Sequence, residues 1–235
     1  MIFKQLFENE SSTYTYIVSS GKGREALIID PVIKDTNKYI NVLEELNLKL
    51  VKVIDTHIHA DHISGLKELH EQTNCATLMG EKSLSEIVTI HVKDNEKIKI
   101  ENISITSMYT PGHTDCSYSF CMDDRIFTGD TLLINGTGRT DFQNGSSEDQ
   151  YYSLFNRILK LPEKTFVYPA HDYKGKNVST IGDEIKNNPR LQVKSINEYI
   201  EIMNNLNLTN PKMMDVAVPS NIKGINLKEF SKSIK

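Results

Sequence analysis

The sequence predicts an α/β protein, and three observations predict it. Short β-branched and aromatic runs recur from Ile2 to Tyr168, amphipathic helical periods separate several of them, and four of the runs end on a histidine or an aspartate. Those endings give the chain its chemistry.

The runs Ile2 to Phe7, Thr13 to Val18 and Glu25 to Ile29 have strand composition, with Ser20-Gly21-Lys22-Gly23 as the turn before the third. Asp30-Pro31 stops that strand. Asp35 is placed to cap a helix that carries Tyr39, Val42, Leu43 and Leu46 on one face. The next strand, Leu50 to Ile54, delivers Thr56-His57-Ile58-His59-Ala60-Asp61-His62 at its C-terminal end, where α/β sheets usually bind ligands. Residues two apart in an extended segment point the same way, so His57 and His59 can face one centre, with Asp61 and His62 following round the turn. Imidazole and carboxylate suit zinc or iron.

Ile63, Leu66 and Leu69 continue at helical spacing; His70 on that helix and His91, in the loop-like stretch 83–95, are read as structural. Strands are expected at Ile98 to Ile100 and Ile103 to Tyr109, the latter running into Pro111-Gly112-His113. Tyr118 to Met122 and Arg125 to Thr128 form a hairpin about Asp124-Arg125 and lead to Asp130. The Gly-rich segment 135–142 lacks both the Walker lysine and a G-x-G-x-x-G, so it reads as a place where backbone approaches a ligand closely. Ser147 and Gln150 have capping-box spacing before a helix bearing Tyr151, Leu154, Phe155 and Ile158. The strand Thr165 to Tyr168 ends at Pro169-Ala170-His171, and Ser195 with Glu198 opens a last amphipathic helix.

Composition narrows the function classes. At 235 residues, 38% hydrophobic and 25% charged, the chain is expected to fold as one domain spanning 1–235 with a short C-terminal helical extension. A net charge of -4 makes no electrostatic case for nucleic acid or an anionic membrane. No apolar run approaches membrane-spanning length, and the N-terminus lacks signal-peptide and transit patterns. Cys75, Cys116 and Cys121 are odd in number and lack C-x-x-C spacing, which favours a reducing compartment and the cytoplasm.

Thr-His-x-His-x-Asp-His at 56–62, Gly-His-Thr at 112–114, Gly-Asp at 129–130 and the late His171 together resemble the metallo-β-lactamase superfamily. Within it the chain is most similar to the ETHE1-like persulfide dioxygenases, or sulfur dioxygenases, through segments 127–134, 138–143, 168–173 and 188–191. The resemblance extends over essentially the whole chain. It implies an αββα sandwich with a metal at the edge between two mixed sheets. It also implies one non-haem Fe(II) held by His57, His113 and Asp130, with His59, Asp61, His62 and His171 around it. The implied reaction takes glutathione persulfide or a similar small persulfide with O₂ to sulfite and thiol. Arg139, Tyr173 and Arg190 would then face the peptide, and a homodimer is compatible with the family. The sequence departs from the family at Cys116, where many members have Gly, and at Thr137, where Cys is common, so no step needing a thiol at 137 carries over.

Two other functions share the metal motif. One is a dinuclear zinc hydroxyacylglutathione hydrolase of the glyoxalase II type, for which every potential second-metal ligand is retained. The other is a metal-binding persulfide sensor without turnover. Residue identity alone leaves one iron or two zincs open.

Overall fold

The computed structural model describes residues 1–209 and 213–233. Their contacts divide into two compact units. One holds residues 1–92, 98–104 and the described C-terminal segment, and the other holds 93–97 and 105–209.

The first sheet follows chain order: β1 (Ile2–Glu8), β2 (Thr13–Ser19), β3 (Glu25–Ile29), β4 (Lys49–Ile54), β5 (Ala76–Gly80) and β6 (Ile90–Val92). β1 to β3 pair antiparallel, and β3 to β6 pair parallel. Parallel neighbours need crossovers, which α1 (Thr36–Glu45) and α2 (Leu66–Thr73) supply after β3 and β4. A strand covered on both faces loses the alternation of polar and apolar residues, and Ala26, Leu27, Ile28 and Ile29 of β3 are all fully buried. α1 turns Tyr39 and Leu43 inward as its period requires. Asp35 occupies its N-cap position without bonding the helix amides, because its carboxylate pairs instead with Lys38 at 3.0 Å. The stretch 83–95 is not wholly a loop, since it contributes the edge strand β6 with His91 exposed.

The second sheet contains β7 (Lys97–Ile100), β8 (Ile103–Tyr109), β9 (Tyr118–Cys121), β10 (Arg125–Gly129), β11 (Phe166–Pro169) and β12 (Ser179–Thr180), again in chain order. Its β10 and β11 are parallel, and α3 (Ser147–Asn156) lies in the crossover between them. α4 (Ile181–Asn187) and α5 (Ile196–Asn204) follow. Ile126, Leu132, Leu154, Ile158, Val167 and Tyr199 form the core of this unit, so one face each of α3 and α5 closes on the sheet. Ser146, not Ser147, caps α3 by accepting from the Asp149 amide. Ser146 has extended backbone geometry, whereas Ser147 is already helical and bonds Thr140 through its hydroxyl. Ser195 caps α5 as its spacing predicts, accepting from the Glu198 amide. The chain ends in α6 (Met214–Lys223) and α7 (Leu227–Ser233), where Ala217 and Phe230 pack with Ile33 and Ile63 of the first unit. Among the described residues no helix is long and apolar enough to cross a membrane.

Candidate metal centre

In the first unit the chain leaves β4 and enters the histidine loop with almost no exposure: His57 is 1%, His59 0% and His62 3% accessible. The His57 and His59 ring centroids are 4.2 Å apart, and those of His59 and His62 are 4.3 Å apart. The rings of His57 and His59 thus lie side by side, as do those of His59 and His62. Asp30, read in the sequence only as a strand stop, organises them. Its carboxylate accepts from the Thr56 amide at 2.7 Å and from the Thr56 hydroxyl at 3.1 Å. Because that hydroxyl proton points to Asp30, the Thr56 oxygen is left to accept from His57 Nδ1 at 3.0 Å, and His57 Nε2 carries the lone pair. His59 Nε2 lies 3.2 Å from Asp30 Oδ1, which puts the lone pair of that ring on Nδ1. His62 Nδ1 stands 3.0 Å from Asp61 Oδ2 and 3.3 Å from the Thr13 hydroxyl. Asp55 is buried beside these groups; desolvation, and then the charge of Asp30, push its carboxyl well above the usual range.

The second unit carries three further donors, each just past the end of a strand: His113 after β8, Asp130 after β10 and His171 after β11. His113 Nε2 lies 3.5 Å from Asp130 Oδ2, and His171 Nε2 lies 3.7 Å from Asp130 Oδ1. His113 Nδ1 donates to the Arg139 carbonyl at 2.7 Å, so Nε2 is again the ring nitrogen with the lone pair. Three successive carbonyls are captured in this segment: Thr137 by Arg190, Gly138 by Gln150 Nε2 and Arg139 by His113. Gly138 passes so close that a Cβ there would sit 2.2 Å from the Asp130 carbonyl and 2.8 Å from His113 Nδ1. The Gly-rich segment thus serves close approach, but to the His113 imidazole and the Asp130 backbone. Gln150 is fixed in turn by the Tyr199 hydroxyl at 2.7 Å, and burial raises the Tyr199 pKa well above its ordinary value.

The residues expected to meet a peptide differ in their freedom. Arg139 is engaged: its guanidinium makes two bonds to Asp141 at 2.6 and 2.7 Å, a third to the Thr209 carbonyl at 2.8 Å, and lies 4.2 Å from the Phe142 ring centroid. That pairing holds the Asp141 carboxyl below the usual carboxylate range. Tyr173 is 69% exposed and stacks on His171, with ring centroids 6.1 Å apart. Arg190 is half-buried, bonded to Thr137, and has no carboxylate partner among the described residues; desolvation pushes its pKa down. Cys116 is packed against the Thr114 hydroxyl at 3.3 Å, in keeping with an inert thiol.

The donors fit a divalent transition metal. Asp130 Oδ1 is buried without a hydrogen-bond partner among the described residues, and the neighbouring imidazole of His113 is held in a tautomer that presents Nε2. An oriented imidazole beside an unsatisfied buried carboxylate oxygen is what a cation would complete. Asp30, Thr56, Gln150 and Tyr199 were not singled out from the sequence as site residues. Only Asp30 carried a signal, as a further carboxylate at a strand end.

Comparison with known proteins agrees with this chemistry. The Metallo-beta-lactamase superfamily profile matches residues 9–171, and the chain belongs to that superfamily, with its two mixed sheets and flanking helices. Its place within the superfamily is among the persulfide dioxygenases. The chain is 39% identical to Persulfide dioxygenase ETHE1, mitochondrial, of Mus musculus, over 95% of this chain and 88% of that protein. The crystal structure of ETHE1 from Myxococcus xanthus superposes with a TM-score of 0.92 at 44% identity, covering 94% of this chain and 98% of that one. Hydroxyacylglutathione hydrolase of Dictyostelium discoideum is more distant, 33% identical over 70% of this chain and 64% of the relative. The chain is accordingly an enzyme of the oxidoreductase kind.

Proposed function

We propose that the chain is a persulfide dioxygenase in which His57, His113 and Asp130 hold a single Fe(II), with His59, Asp61, His62 and His171 around it. The observation that carries the reading is the 39% identity to a persulfide dioxygenase over 95% of the chain. Two local features support the ligand choice. His57 and His113 both commit Nδ1 to a protein oxygen, leaving both Nε2 atoms as donors, and two imidazoles with one carboxylate are the set associated with O₂-using iron.

Iron held by those three residues would supply the redox chemistry with O₂. Overall, the S–S bond of glutathione persulfide breaks and its terminal sulfur gains two oxygens from O₂ and one from water. The products are sulfite and glutathione, with two protons released. This chain's own part is to orient and to bind. Thr56 and Asp30 hold His57, the Arg139 carbonyl holds His113, and Asp61 with Thr13 sets the His62 ring. Arg190, desolvated and without a carboxylate partner among the described residues, is the cation best placed to take a substrate carboxylate, with the exposed Tyr173 beside His171. Arg139 acts mainly through its backbone. We take the compartment to be the cytoplasm, on an odd cysteine count without C-x-x-C spacing.

Anaerobic purification with metal analysis, followed by oxygen uptake on glutathione persulfide, tests the reading. One iron per chain with oxygen consumption matched by sulfite is the expected result. Two zincs per chain without oxygen uptake would overturn it in favour of the hydrolase.

A further inference from the structure

Asn221 of α6 lies 162 residues beyond His59, yet its side chain is buried against the histidine loop. Its Nδ2 donates to the His59 carbonyl and to the His62 carbonyl, both at 2.9 Å, and its Oδ1 accepts from the Ser64 amide at 2.8 Å. Its own carbonyl accepts from the Ser85 hydroxyl at 2.8 Å, which fixes the amide from the other side. Residues 55–62 belong to no helix or strand, so ladder bonds do not satisfy their backbone. Two carbonyls and one amide in a buried loop need two donors and one acceptor together, and a primary amide supplies them in one plane. An aspartate has no such donors, and a serine reaches fewer partners.

The carbonyls held in this way belong to His59 and His62 themselves. We propose that Asn221 is a positioning residue for the metal centre: by fixing the backbone of both residues, the C-terminal helix sets the direction of their imidazoles. The inference rests on the metal-binding reading and adds to it a residue from a segment that carries no donor of its own. Groups that orient a metal's surroundings typically change affinity or activity by about 10- to 100-fold when removed, and Asn221 acts on two such residues at once.

The test uses purified iron-loaded protein and three variants: Asn221→Asp, which keeps the size and the bond from Ser64; Asn221→Ser, which is milder; and Leu43→Ala, a buried truncation in α1, outside the loop in sequence, that lowers stability. Iron retention is measured by titration with a ferrous chelator, and site geometry by the electron paramagnetic resonance of the nitric oxide adduct. Thermal unfolding is recorded alongside. Both Asn221 variants are expected to bind close to one iron per chain at saturation, since His59 and His62 do not hold it. They should release it to the chelator more readily, by about 10- to 100-fold in affinity for Asn221→Asp, and change the line shape of the adduct. Leu43→Ala is expected to lower Tm with retention and line shape unchanged. If Asn221→Asp does not fold, Asn221→Ser decides. Wild-type retention and line shape in the Asn221 variants, or losses that follow Tm as closely as in Leu43→Ala, would overturn the proposal. A wild-type protein that takes zinc instead of iron would overturn the functional reading, and zinc retention in the same variants would still decide the role of Asn221.

Discussion

His113 Nδ1 lies 2.7 Å from the Arg139 carbonyl oxygen, so an imidazole at the end of β8 takes its orientation from a loop 26 residues further along the chain. The path of residues 137–139 consequently sets the orientation of a proposed metal ligand. Arg139 enters it through its backbone, whereas its guanidinium is spent on Asp141 of the same loop and on the Thr209 carbonyl.

Gly138 is where that path is most constrained. A methyl group there would meet the Asp130 carbonyl, which is backbone and has no rotamer to change, and the His113 ring. Gly138→Ala is expected to lower metal affinity by at least about tenfold, measured as metal content after dialysis against a chelator. Gly136 is the control, since a Cβ there meets nothing nearer than Leu133 Cβ at 4.0 Å, and Gly136→Ala should retain its metal. Equal metal content in the two variants would sink the idea.

Behind the same loop stands the bond from Tyr199 to Gln150. Tyr199→Phe leaves the buried Gln150 oxygen with one donor fewer, at a cost of about 1 to 3 kcal/mol in chemical denaturation. The folded Tyr199 pKa is raised by desolvation, so this tyrosine stays neutral in the fold after it would ionise in the unfolded chain. Its contribution is therefore fully present below the unfolded value near pH 10 and is lost as pH rises beyond it. Tyr39, also buried, adds in the same direction. Stability should fall on the alkaline side of about pH 10, and Tyr199→Phe should fall less steeply; parallel alkaline limbs would remove Tyr199 from the account.

Arg190→Ala is expected to weaken substrate use by about tenfold to a hundredfold, the equivalent of one charge-assisted hydrogen bond, with iron content unchanged. Because Arg190 also holds the Thr137 carbonyl, Arg190→Lys is needed beside it: a lysine keeps the charge but loses the planar fork. A loss confined to KM identifies substrate contact, and a parallel loss of iron identifies support of the loop. Unchanged kinetics in both variants would take Arg190 out of the site.

What could be read from the sequence, and what could not, divides by distance along the chain. The strands ending at His57, His113, Asp130 and His171 were legible because β-branched runs and the residues that stop them are local signals. The shift of the α3 cap from Ser147 to Ser146 turned on backbone angles that two adjacent serines do not reveal. Gln150 looked like part of a capping box, yet it is buried and bonded to Gly138 and Tyr199. Asp30 and Asn221 act on partners 29 and 162 residues away, and such pairings exist only once the chain has folded.

The last prediction concerns how many metals the histidine loop holds. Asp61 follows His59 by two residues, and its Oδ2 lies 3.0 Å from His62 Nδ1. With one iron held by His57, His113 and Asp130, Asp61 orients His62 and touches no metal. Asp61→Asn then keeps an oxygen in place, retains close to one iron per chain, and loses activity through the altered His62. In a dinuclear hydrolase Asp61 is itself a ligand, so exchange of a carboxylate for a neutral amide removes a charge from the second cation and strips it. Metal analysis of Asp61→Asn separates the two outcomes, and stoichiometric loss of iron would exclude the ligand set proposed for this chain. Thermal unfolding of the same sample guards against a trivial cause: Asp61 is partly exposed, so the substitution should shift Tm little, and metal loss without a shift in Tm would point to coordination.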